Sequence, residues 1–309
     1  MPSPNRTDLP TWEQAWEGSA FGPGGFYRRE LPESHFRTAV TSGRAIARIV
    51  IEYLRQYLQH HPHATVEDLG AGSGQLLQDL AIWSQTQGLS HRIALRGFDL
   101  RERPADLDPQ IDWVRGDLRE ILPTRPTMTG IAIAHELLDD LPCPLLEADA
   151  DGRPHVVLSQ HHEPYLGPEL ATHRADTCSD WARWAAQWWP IDRPFMRCEI
   201  GLPRERLWQS IVRHVDHGWA LAIDYGHVKE ERIAGTWDAG TCIGYRQGRA
   251  MAPRTDGIRN LTAHVAMDAL QASTQSASTL QRLPLTFSMP PGMYLLAAQR
   301  SDAFNGCAL

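Results

Sequence analysis

Thr65-Val66-Glu67-Asp68-Leu69-Gly70-Ala71-Gly72-Ser73-Gly74-Gln75 is the stretch that decides how this chain is read. Val66 and Leu69 mark a short apolar strand, and three glycines at every second position turn it into a helix beginning near Gln75. Glycines at such a turn let backbone amides approach a ligand with no side chain between them. The spacing narrows the ligand. A dinucleotide fingerprint needs G-x-G-x-x-G, and Gln75 stands where its last glycine would be. A phosphate loop needs Gly-Lys-Ser/Thr, and this turn has no lysine. What remains is Asp68-x-Gly70-x-Gly72-x-Gly74, which suits a phosphate-free ligand with a cationic amino-acid end and a nucleoside. S-adenosylmethionine (SAM) fits that description.

Outward from the turn, further apolar runs each end near an acid. Arg92–Phe98 leads to Asp99, Asp112-Trp113-Val114 to Gly116-Asp117, Gly130–Ala134 to His135-Glu136, and Trp219–Ile223 to Asp224. Apolar strands alternating with helices imply an α/β fold, with a parallel sheet covered on both faces. Ligands of such sheets bind outside the carboxyl ends of the strands. Asp99, one helix and one strand past the glycines, is placed to accept both ribose hydroxyls of an adenosine. Asp117 is placed for the adenine amino group, and Asp68 for the ammonium end. The alternative is that each acid caps the helix that follows it.

Methyl transfer from a sulfonium is an in-line displacement, so the protein's work is to orient and desolvate the nucleophile. A carboxylate beside a nitrogen nucleophile would also stabilise the charge arriving there. Glu136 is the first candidate, Asp224 or His227 the second, and His264 a proton acceptor. Glu136 in a first helical turn and His264 as a packing histidine are the structural alternatives.

The chain has 309 residues and a net charge of −7, which argues against a broad nucleic-acid surface and is compatible with a cationic substrate. No apolar run suggests a signal peptide or a membrane span, and five scattered cysteines lack C-x-x-C spacing, so a cytoplasmic location is expected. His214 and His217, at i and i+3 with Asp216 nearby, could share a helix face, but no metal is expected.

Four segments are expected: a cap over 1–42, a core over 43–142, an inserted hairpin and helical lid over 143–195, and the rest of the core with a diverged end over 196–309. Helices are predicted over 43–59 and from Gly74 to Gln85. A hairpin is predicted over Leu145–Leu158 turning at Asp151-Gly152, a loop over 159–178, and an edge strand over Met293–Ala298. Trp181, Trp184, Trp188 and Trp189 recur at helical spacing and read as buried packing, serving a lid or a homodimer contact equally well.

Several separated motifs then carry a resemblance. They are Phe36-Arg37-Thr38-Ala39, the Asp68–Gly74 turn, His135-Glu136-Leu137-Leu138-Asp139-Asp140-Leu141-Pro142, Ala222-Ile223-Asp224-Tyr225-Gly226-His227, Gly240-Thr241 with Tyr245-Arg246, and Leu261-Thr262-Ala263-His264-Val265. In this order the chain resembles the MidA family of SAM-dependent methyltransferases. That family includes the mitochondrial complex I assembly factor that symmetrically dimethylates an arginine of a respiratory subunit. The resemblance implies a class I methyltransferase fold, Rossmann-like with a mostly parallel seven-stranded sheet and an inserted substrate or lid region. It implies SAM as cofactor, S-adenosylhomocysteine as product, a protein arginine as acceptor, and Glu136 in the acceptor pocket. Thr38, Leu118 and His135 complete the expected cofactor contacts beside Asp68, Gly70, Gly72, Gly74, Asp99 and Asp117. This chain departs from the family at His135 (Asn there), Gly248 (His), Asn260 (Asp) and Ala266-Met267 (Asp-Phe). Two other readings stand beside the arginine methyltransferase: one acting on a small molecule or peptide, and a SAM-binding assembly factor that works by holding a partner.

Overall fold

The computed structural model describes residues 9–30, 45–172, 178–284 and 292–301. The chain divides into two compact units, one built from Arg37–Leu138, Arg206–Tyr225 and Gln271–Leu309, the other from Met1–Phe36, Asp139–Glu205 and Gly226–Leu270.

The first unit carries the central sheet. Its strands are β1 (Ala64–Leu69), β2 (Ile93–Asp99), β3 (Asp112–Arg115), β4 (Met128–His135), β5 (Val215–His227), β6 (Ala277–Arg282) and β7 (Met293–Arg300), in the order β6-β7-β5-β4-β1-β2-β3. The strands from β3 to β5 run parallel, while β7 is antiparallel to both β5 and β6. A mixed α/β fold around a large, mostly parallel sheet is therefore what the chain adopts. β4 shows why the central strands read as continuous apolar runs, since every residue of it except Thr129 is buried. The helix Ala45–Leu58 lays Ile46, Val50 and Leu54 at four-residue spacing into a core with Val66, Ile131, Ile133, Leu221 and Ile223. The helix Gln75–Thr86 adds Leu76, Leu77 and Leu80 to that core.

Register aligns the carboxyl ends of the strands. Leu69 pairs with both Phe98 and Ala134, and His135 pairs with Ile223. Gly70, Asp99 and His135 therefore begin one row, with Glu136 and Asp224 in the next. Arg115 pairs with Asp99, so Asp117 lies two residues past the end of β3.

Two expectations fail in this unit. Met293–Ala298 is not an edge strand, because Ala277–Arg282 pairs along its other side and is itself the edge. His214 and His217 do not share a helix face, because the helix Leu202–His214 ends there and β5 begins at Val215. His214 Nε2 instead meets Glu67 Oε2 at 2.7 Å, and Arg96 meets Glu67 Oε1 at 2.7 Å, so this buried acid is satisfied from both sides.

The second unit begins with the helix Trp12–Ala20, capped by a reciprocal Thr11–Gln14 box. A four-stranded antiparallel sheet follows, in the order Glu163–Glu169, Pro154–Gln160, Leu145–Ala148, Arg197–Glu199. The hairpin over Leu145–Leu158 is present, but 159–178 is not simply loop, since Glu163–Glu169 forms the exposed outer strand. The helix Cys178–Trp188 buries Trp181 and Trp184, and together with Trp189 they pack against Leu146, Val156 and Ile200. Asn260–Thr262, Ile243–Arg246 and Arg249–Met251 make a small antiparallel sheet, and Val265–Ala266 pairs in parallel with Gly226–His227. Among the described residues no helix is long and apolar enough to cross a membrane.

Candidate active site

The turn after β1 is built from backbone. The amides of Gly70 and Ala71 both donate to the Phe98 carbonyl at 2.9 Å, and the Gly74 amide donates to the Ala71 carbonyl at 2.7 Å. Gly70, Gly72 and Gly74 have φ of +85°, +58° and +75°, a region that L side chains enter only with strain. Gly74 in this conformation opens the helix Gln75–Thr86.

Asp68 lies in β1 just before the turn and is 4% exposed. Burial, reinforced by the negative charge of Asp99, pushes its pKa up to about 7. No basic side chain offsets that shift among the described residues. A buried carboxylate in this state is one that a cation would complete.

Asp99, at the end of β2, is fully engaged. Its Oδ2 accepts the Gly72 amide at 2.9 Å, and its Oδ1 accepts the Arg101 amide at 2.9 Å. The Arg101 guanidinium then adds Nε to Oδ1 at 2.9 Å and Nη2 to Oδ2 at 3.1 Å. Asp117 repeats the pattern beyond β3. Its Oδ1 accepts the Arg119 amide at 2.9 Å, and Arg119 adds Nε to Oδ1 at 3.0 Å and Nη2 to Oδ2 at 2.6 Å. In doing so Asp117 caps the short helix Leu118–Ile121, whose Leu118 is buried. Arg101 and Arg119 were not anticipated from the sequence. Their signal was there, as the tripeptide Asp-Leu-Arg at both 99–101 and 117–119.

At the end of β4, His135 is 8% exposed and burial lowers its pKa to about 3, so the imidazole is neutral. Its Nε2 is 3.5 Å from Glu136 Oε1. Glu136 is not in a helical turn. Its φ is +46°, its amide donates to the Ile223 carbonyl at 3.0 Å, and its side chain is only 7% exposed. A non-glycine residue in the left-handed region at a strand end is the kind of strain found at functional sites. Asp224 is fully buried, with Oδ2 accepting the Leu138 amide at 2.9 Å and Oδ1 the Tyr225 amide at 2.8 Å. Its carboxylate clamps the backbone that follows Glu136.

Three further candidates remain. Thr38 and the rest of Phe36–Ala39 fall outside the described residues. His264 and His227 belong to the second unit. Burial and the Arg204 charge lower the His264 pKa to about 4, and its ring meets Trp237 edge-on at 5.0 Å. His227 is fully buried, with Nδ1 2.7 Å from an Arg232 nitrogen, and Arg232 in turn pairs with Asp268 at 2.7 Å.

The family model described as "Putative S-adenosyl-L-methionine-dependent methyltransferase" matches residues 45–286. The chain belongs to this family. It is accordingly a SAM-dependent methyltransferase, and SAM is its cofactor. A COG1565 superfamily member from Burkholderia thailandensis, crystallised with S-adenosyl-homocysteine, is 17% identical with a TM-score of 0.73, covering 97% of this chain and 95% of that one. A native crystal structure of a COG1565 superfamily protein from the same organism is 16% identical with a TM-score of 0.72, covering 97% and 94%. At these identities the likeness is one of fold. Among curated proteins no significant match is found.

The residues present suit the methyltransferase's cofactor. The turn offers amides and no basic side chain, and its acid, Asp68, is buried with no compensating cation among the described residues. That donor set matches an amino-acid ammonium and a nucleoside better than a phosphate.

Proposed function

We propose that this methyltransferase modifies a nitrogen acceptor, the arginine side chain of a protein, as the resemblance to the MidA family implies. The observation that carries this reading is Glu136, a nearly buried carboxylate held at φ +46° at the end of β4.

SAM supplies an electrophilic methyl group on a sulfonium. Asp68 holds its ammonium end, Asp99 its ribose hydroxyls and Asp117 the adenine amino group, while Gly70, Gly72 and Gly74 keep side chains out of the way. Leu118 and His135 complete the contacts among the described residues. Glu136 pairs with the acceptor guanidinium, whose planar fork matches a carboxylate, and stabilises the charge arriving on nitrogen. Exchange of an N–H for N–CH₃ on a guanidinium releases one proton, which passes to water. His135, kept neutral by burial, places no positive charge beside Glu136 to compete with the acceptor. Asp224 fixes Leu138 and with it the path of the chain past Glu136.

Transfer of labelled methyl from SAM to arginine-bearing peptides and proteins tests the reading. Glu136→Gln should abolish transfer while leaving S-adenosylhomocysteine affinity within about twofold. Transfer that survives in the variant would remove Glu136 from the acceptor role. A second reading, a small-molecule or peptide acceptor, is favoured by Asn260. Where the MidA family has Asp, this fully buried amide takes the Tyr27 hydroxyl and donates to Asp140 Oδ1 at 3.3 Å. Including small nitrogen nucleophiles in the same assay separates the two.

A further inference from the structure

The two Asp-Leu-Arg tripeptides form the same local device at the carboxyl ends of adjacent strands. In each, the acid accepts the amide two residues on, and the guanidinium of that residue folds back onto both carboxylate oxygens. An ionised carboxylate offers about four acceptor positions. In Asp99 two are taken by the amides of Gly72 and Arg101, and the other two by Nε and Nη2 of Arg101. One donor to each oxygen is also the demand of a ribose cis-diol. The Arg101 fork therefore occupies the acceptor positions that the nucleoside would use.

The backbone beneath this fork is fixed. The Asp99 carbonyl accepts the Gly116 amide at 2.9 Å, the Leu100 carbonyl accepts Arg115 Nε at 3.2 Å, and the Arg101 carbonyl accepts Trp113 Nε1 at 3.1 Å. With all three carbonyls tied to β3 and its end, the acid cannot retreat from the arginine. What can change is the rotamer of the arginine, a side chain whose torsions are staggered and interconvertible. Arg119 is 36% exposed, against 16% for Arg101, and has the freer exit to water.

We propose that Arg101 and Arg119 are specificity-determining residues of the cofactor site, competing in cis with the nucleoside for Asp99 and Asp117. The proposal rests on the reading of Asp99 as the ribose acceptor. Binding then exchanges a charge-assisted fork for the ligand's donors, so that only a ligand presenting two donors to one carboxylate displaces Arg101. A nucleoside lacking one of those hydroxyls could not. The fork also spares Asp99 from standing as an unpaired, nearly buried charge when no ligand is there.

Adenosine is the probe, because it has the nucleoside end and no charge of its own. Its affinity, and that of 2′-deoxyadenosine, would be measured by titration calorimetry on the full chain and on Arg101→Met, Arg101→Lys and Asp99→Asn. Arg101→Met should bind adenosine about five- to thirtyfold more tightly. Arg101→Lys, which keeps the charge and loses the fork, should bind at least threefold more tightly and guards against misfolding of the first variant. The preference for adenosine over 2′-deoxyadenosine should shrink in both. Unchanged or weaker adenosine binding in both arginine variants, with Asp99→Asn abolishing it, would overturn the proposal and leave the ribose reading intact. Unchanged adenosine binding in Asp99→Asn would overturn the ribose reading itself.

Discussion

The amide of Gly72 donates to Oδ2 of Asp99 at 2.9 Å, tying the middle glycine of the turn after β1 to the acid that ends β2. The hydrogen bond joins the two features on which the cofactor assignment depends, and it orients the carboxylate before any ligand arrives. Preorganisation of this kind is what lets a small number of polar contacts hold a ligand tightly.

Replacing Gly72 tests that link. At φ +58° an alanine costs about 1–2 kcal/mol, and its methyl group stands beside the amide that Asp99 uses. Gly72→Ala should lower stability by about that amount in urea unfolding and weaken S-adenosylhomocysteine binding at least tenfold. Gly72→Val should be worse on both counts, because a β-branched side chain tolerates positive φ poorly.

Asp68 predicts a pH dependence. An unfolded aspartate releases its proton near pH 4, whereas this one holds it to about pH 7. Between those values the folded state binds more protons, so the contribution of Asp68 to stability falls as pH rises. Without ligand, Asp68→Asn should be more stable than the parent at pH 8, by a few kcal/mol at most, and little different at pH 4. Ligand binding runs the other way. An ammonium is held by the carboxylate, so the affinity for S-adenosylhomocysteine should rise about tenfold from pH 6 to pH 8, and Asp68→Asn should abolish the rise. Calorimetry across that range checks both signs.

Asp224→Ala removes the acceptor of the buried Leu138 amide and of the Tyr225 amide. Orphaned amides cost about 1–3 kcal/mol each when buried, so a loss of about 3 kcal/mol in chemical denaturation is expected. Methyl transfer should fall more than cofactor affinity, because the freed backbone adjoins Glu136. Equal losses in both would point to general disorder of the sheet end.

Glu136→Gly should be more stable than the parent by about 1 kcal/mol, since glycine takes φ +46° without strain. It should also be inactive. A stability gain coupled to lost transfer, read by thermal melting and the labelled-methyl assay, would mark the strain as functional.

How much of this was legible beforehand depended on burial. Ile131 to Ala134 and Leu221 to Ile223 read as strands because a parallel sheet covered on both faces leaves no polar alternation in its centre, while Val66 and Leu69 mark a strand through the glycine turn that follows them. Edge strands lack that signature. Ala277–Arg282 is Ser-, Thr- and Gln-containing and half exposed, so nothing in it spells out a strand, and Glu163–Glu169 carries two prolines, which is why 159–178 reads as a loop. His214 and His217 misled because spacing alone cannot tell one helix face from a helix ending one residue before a strand. At the site, acids at strand ends were visible as types in a pattern. The forks of Arg101 and Arg119, the left-handed turn at Glu136 and the backbone clamp of Asp224 depend on side-chain direction and φ, which residue types do not specify.

The most direct test is calorimetric titration of the purified chain and of Asp99→Asn with S-adenosylhomocysteine at pH 8. The account predicts micromolar binding to the parent and at least a tenfold loss in the variant. No detectable binding to the parent, or equal binding to both, would contradict it.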